Sequence, residues 1–94
     1  MATIKELKKD IHYITNELVI ECLVTDMLHE GKYETKLSEL VTKLLVKKEE
    51  LLQRINDYRR KKEENKASEY FNAIKKDMQD LINEIVDEVS KLNK

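Results

Sequence analysis

Apolar residues recur at Ile4, Leu7, Ile11, Ile14 and Leu18, at spacings of 3, 4, 3 and 4. That rhythm returns each side chain to one face of a helix turning once every 3.6 residues, and it predicts a helix packed along that face. Thr3 followed by Glu6 offers a capping box at its start: a hydroxyl for one orphan amide and a carboxylate reaching back for another. Gly31, after His29 and Glu30, suits the left-handed residue with which many helices end. The first helix is therefore expected over residues 4–29.

The rhythm resumes near Tyr33 to Lys36 and runs to about Arg60. Leu37, Val41, Leu44, Leu51, Ile55 and Tyr58 form the seam, Lys48 occupies one seam position, and Leu40, Leu45 and Leu52 widen the stripe. The stretch KKEENKAS then carries no apolar residue except Ala67, which marks a connection with Asn65 or Ser68 as candidate N-caps. A third helix follows on Phe71, Ile74, Met78, Leu81, Ile85, Val89 and Leu92, flanked by Tyr70, Ile82 and Val86. No strand-like alternation appears. Short links between long helices make neighbours antiparallel, so the expected fold is all-α, an up-down-up bundle of three long helices; a break near residues 46–50 would make it four.

The C-terminal half of the first helix breaks the pattern. Leu18, Val19, Ile20, Cys22, Leu23, Val24, Met27 and Leu28 spread over an arc of about 280° at 100° per residue, leaving the Glu17, Glu21 and Thr25 side as the expected wet one. A bundle helix needs a stripe only somewhat wider than about 100°. Val19, Ile20, Leu23 and Met27 are thus surplus to one chain's own core. Either the bundle is splayed and covers them from several directions, or a second copy does, most simply across a two-fold axis. The thinness of a rod-like bundle favours the second, and a homodimer is expected.

Composition narrows the rest. A chain of 94 residues is one domain, residues 1–94, and a single glycine with no proline leaves little means of building hairpins or linkers. Charged residues at 39% beside apolar ones at 40% fit long solvated helices. The lone Cys22 sits in an apolar run, where a buried inert thiol is the expectation. MATIKELKKD has no apolar leader, and no apolar run approaches the roughly 20 residues that span a bilayer, so a cytoplasmic protein without a membrane partner is expected. Folded up-down-up, the end formed by residues 1–10, 54–62 and 63–77 carries eleven basic against seven acidic residues, a net of +4. The opposite end carries five basic against ten acidic residues, a net of −5. Such a rod is electrically polar along its axis, which favours antiparallel pairing of two copies.

Candidate chemistry is sparse. Arg59, Arg60, Lys61 and Lys62 form the one basic cluster that could meet a nucleic-acid backbone, although four cations at a helix C-terminus also complement its dipole, and Glu63 and Glu64 follow at once. A nucleic-acid-binding accessory protein is the alternative reading. Asp26 and His29 stand three apart on a helix, a spacing able to hold a metal, but a di-metal bundle needs two such pairs and further inward carboxylates. His12 has Lys9, not an acid, three residues before it. Asp77, Asp80, Glu84, Asp87 and Glu88 make an acidic side of the third helix, expected to be wet rather than catalytic. No phosphate loop, zinc spacing or activated nucleophile is legible, so no enzyme, cofactor or metal is expected.

The string MATIKELKKDIHYITNELVIECL, with IKELKKDI followed by YI, EL and EC, resembles the opening of a family of small uncharacterised all-helical proteins from Bacteroidetes. The similarity is strongest over residues 1–23 and fades toward the basic run. It implies an all-helical fold and carries no activity, ligand or functional residue.

Overall fold

The computed structural model describes residues 4–61 and 67–93 and, within them, every side chain except those of residues 59–61 and 67–68. Three helices account for nearly all of it: α1, Ile4–Leu28; α2, Glu34–Lys61; and α3, Ala67–Leu92. No strand occurs among the described residues. The rod measures 50 × 19 × 17 Å, close to one long helix in length and two helices in width. The second helix runs unbroken through residues 46–50, so the four-helix alternative does not arise there.

The core is the sum of the three seams. Leu7, Ile11, Leu18 and Cys22 from α1 meet Leu37, Leu40, Leu44, Leu51 and Ile55 from α2, and Ile74, Met78, Leu81, Ile85 and Val89 from α3. Val41, Leu52, Tyr70, Phe71, Ile82 and Leu92 pack half-buried against it. Two flanking residues expected to widen the stripes do not: Leu45 and Val86 are about half exposed. Helical phase accounts for both. At 100° per residue each lies about 100° round from the fully buried residue before it, Leu44 or Ile85, beyond the reach of the neighbouring helices.

A larger correction concerns Thr25. Expected on the wet side of the first helix, it is 1% exposed and faces the core. Its hydroxyl donates to the Glu21 carbonyl at 2.8 Å, one turn back, which satisfies the polar atom without water and lets a small side chain sit at a helix contact. Thr15, also on the core face, is fully buried, and its hydroxyl has no partner.

The end of α1 differs from the simple glycine cap. Gly31 N–H bonds the Asp26 carbonyl at 3.0 Å and Glu30 N–H bonds the Met27 carbonyl at 3.2 Å, the paired bonds of a Schellman motif. In that motif the left-handed residue is Glu30, at φ 52°, and Gly31 continues the turn at φ 79°. Two successive left-handed residues thus close the helix: glycine fills the second, and a carboxylate-bearing residue occupies the first under strain. Lys32 N–H to the His29 carbonyl and Glu34 N–H to the Gly31 carbonyl carry the chain into α2.

At the other termini, Thr3 and Asn65 lie outside the described residues, and Ser68 is inside α3 rather than capping it. Cross-links at the two ends of the rod hold the helices in register. Lys8 Nζ donates to Asn56 Oδ1 at 2.9 Å between α1 and α2, and His29 Nε2 hydrogen-bonds Asn93 Oδ1 at 2.8 Å beyond the C-terminal ends of α1 and α3. Near the basic end, Tyr58 contacts Tyr70 and Phe71 ring to ring, with centroids 5.2 and 5.0 Å apart, and the Tyr70 hydroxyl donates to the Arg54 carbonyl.

Candidate functional site

The first helix has two faces, and in its C-terminal half the oilier one points outward. Inward go Leu18, Cys22 and Thr25; outward go Ile20 (52% exposed), Leu23 (55%), Val24 (44%), Met27 (77%) and Leu28 (70%). Tyr13, one heptad before Ile20, is 66% exposed on the same side. By helical phase Ile20 and Met27 lie about 160–180° from the centre of the buried set Leu7, Ile11, Thr15, Leu18, Cys22 and Thr25. The bundle is not splayed around this segment; it turns its back on it.

Of the four residues singled out from the sequence, Ile20, Leu23 and Met27 sit together on this outer face. Val19 does not belong with them: it is half-buried and packs against the core. Tyr13, Val24 and Leu28 join the face and were not singled out. A signal for Tyr13 was present in the seven-residue spacing of Tyr13, Ile20 and Met27, whereas Val24 and Leu28 fell within the arc without their direction being legible. Beside Leu23 a shallow groove of about 380 Å³ opens between α1 and α2, lined also by Asp26, Leu37, Ser38 and Val41. Asp26 Oδ1 is shielded from solvent there with no hydrogen-bond partner.

The opposite side of the rod, the α2–α3 seam, has the reverse character. Lys36 pairs with Glu88 at 3.2 Å, and Lys43 with Glu84 and Arg54 with Asp77 in closer contacts. Lys91 adds pairs to Asp87 and Glu88 along α3. A groove lined by Lys47, Glu50, Arg54, Asp77, Asp80 and Glu84 runs along this ladder. The acidic side of α3 is wet, as expected, and Asp77, Glu84 and Glu88 on it also pair with cations of α2. Lys36 and Lys91 hold the Glu88 carboxyl below its usual range, and its neighbours hold the Lys91 ammonium above its own.

For metal chemistry the geometry offers little. No cluster of three or more metal-ligating side chains occurs among the described residues, and His29 is engaged with Asn93 and edge-on to the Tyr33 ring. Burial, then the nearby Glu21, pushes the Cys22 thiol up, which leaves it poorly nucleophilic. The backbone of Arg59, Arg60 and Lys61 completes α2, while their side chains, and Lys62 altogether, lie outside the described residues. No described helix is long and apolar enough to cross a membrane.

Neither family models, curated proteins nor solved structures yield a match to this chain, so any functional reading rests on the geometry alone.

Proposed function

We propose that the protein is a noncatalytic helical interaction module that self-associates through the outer face of α1. The observation that carries this reading is the inversion of that helix, with threonine and cysteine turned inward while Ile20, Leu23, Val24, Met27 and Leu28 stand out. Their exposures add up to about three fully exposed side chains, equivalent to roughly 5–9 kcal/mol of burial per copy. Two copies would gain twice that, against an association cost of about 4–15 kcal/mol. The surplus supports a dimer of modest, concentration-dependent affinity.

The charge ladder between α2 and α3 complements this reading. It gives the α2–α3 seam a solvated coat of paired charge, while the largest group of exposed apolar side chains lies on α1, with Leu45, Val46 and Val86 the others. The single buried thiol fits a reducing compartment, and we place the module in the cytoplasm.

Light scattering over a range of concentrations tests the proposal. Wild type is expected to move toward twice the chain mass as concentration rises, and Ile20→Glu or Leu23→Glu to hold it at the monomer. A wild-type mass that stays monomeric at every concentration, or glutamate variants as large as wild type, would overturn the proposal.

A further inference from the structure

We infer that the occupant of the outer face is a second copy lying antiparallel, with the two-fold axis passing near Ile20. This rests on the self-association proposed above and adds its geometry. The outer face of α1 carries a complete second seam. Lys9, Tyr13, Asn16, Ile20, Leu23 and Met27 follow one another at spacings of 4, 3, 4, 3 and 4, every one of them is exposed, and the exposed Glu30 follows in the turn past the helix end. This is the heptad rhythm of a helix that packs against another helix, on the side of α1 where its own chain supplies none.

The seam is self-complementary when reversed. Ile20 is its middle member, with Tyr13 seven residues before and Met27 seven after. Turning a second copy end for end about Ile20 sets Tyr13 of each chain against Met27 of the other, a ring and a thioether, which attract favourably. It sets Asn16 near Leu23. It also brings Lys9 of each chain to Glu30 of the other, closing both ends of the seam with opposite charges. A parallel two-fold pairing does the opposite, placing Lys9 on Lys9 and Glu30 on Glu30. The same choice holds for whole rods: among the described side chains, the end with the C-termini of α1 and α3 carries four basic against ten acidic residues, which a parallel pairing would set against each other.

The extent is that of a weak contact. From Lys9 to Met27 the stripe is about 27 Å long at 1.5 Å per residue, and across one helix about 10–12 Å wide it offers a patch on the order of 300 Å² per copy, the scale of a concentration-dependent rather than an obligate interface.

Cysteine cross-linking reads the arrangement directly. Full-length Tyr13→Cys and Met27→Cys chains, distinguishable by a tag and each checked for native helicity, are mixed and mildly oxidised. The mixture is expected to form a disulfide-linked heterodimer, joined from position 13 of one chain to position 27 of the other. Met27→Cys alone is expected to stay unlinked, and buried Cys22 contributes no link. As a second arm, Lys9→Glu or Glu30→Lys alone should weaken the dimer by about tenfold, and the double exchange should restore it. Met27→Cys linking to itself would overturn the antiparallel axis. So would a dimer by light scattering that yields no mixed cross-link, or charge reversals that leave its affinity unchanged. A wild-type chain monomeric by light scattering would instead remove the self-association beneath it, so the two failures are distinguishable.

Discussion

Thr15→Val is the sharpest test of how α1 meets the core. Thr15 is fully buried and its Oγ1 has no hydrogen-bond partner, so folding strips water from a hydroxyl and returns nothing. Valine has nearly the same shape and volume and carries a methyl in place of that hydroxyl, so no cavity or overlap is introduced. Burying an unsatisfied hydroxyl costs about 1–3 kcal/mol on mutational scales, and the new methyl adds burial of its own. The variant should therefore be more stable by about 1–2 kcal/mol, which in a chain of this length raises the melting midpoint by roughly 4–8 °C per kcal/mol. Thr25→Val is the internal control. It is equally buried, but its hydroxyl is bonded to the Glu21 carbonyl, so removing the group should be close to neutral. Urea unfolding followed by circular dichroism, at one fixed chain concentration, measures both. An unchanged slope with a higher midpoint for Thr15→Val alone supports the account. A Thr15→Val variant no more stable than wild type would refute it.

Other outcomes follow from the same structure. Glu30→Gly should stabilise the fold by about 1 kcal/mol by relieving the left-handed strain, while Gly31→Ala should cost about as much despite open space for its Cβ; thermal melts compare them. Because Glu88 has a folded pKa below its unfolded one, the stability it contributes is present above the unfolded carboxylate range and lost as pH falls through the folded pKa. Lys36→Met should flatten that acid-side slope, read from denaturation midpoints across the acid range. Cys22 should react with an aromatic disulfide reagent only as fast as the bundle opens, and more slowly at higher chain concentration; immediate labelling at any concentration would count against it.

The three helices were legible in the sequence because each seam keeps its 3–4 rhythm for seven turns or so, and a long period is hard to counterfeit. Connections were less so. Gly31 is left-handed as expected, but Glu30 before it is left-handed too, because cap geometry depends on which carbonyls the last amides reach, which composition alone leaves open. On α1 the width of the apolar arc was visible but not its orientation. Thr25 looked wet and Val19 looked surplus, because residue type alone does not reveal that Thr25 could satisfy its own hydroxyl one turn back. The α2–α3 ladder was hidden for another reason. Lys36, Lys43 and Arg54 and their partners Glu88, Glu84 and Asp77 are ordinary surface charges until the packing angle of two helices brings them together.

The sidedness of α1 has a dynamic consequence. In its first half Leu7 and Ile11 turn inward while Lys5 and Lys9 turn outward, so water and core agree about which way the helix should face. In its second half they disagree, since rolling the helix half a turn would trade Thr25 and Cys22 for Met27 and Leu23 in the interior. The apolar sidedness of the first turns favours the observed rotation of α1, whereas that of the later turns, Leu18 apart, does little to favour it. A chain built this way is frustrated when alone. Under the proposed pairing, docking a second copy against the exposed side would disfavour the competing orientation, so association and settling on a single interior would be coupled.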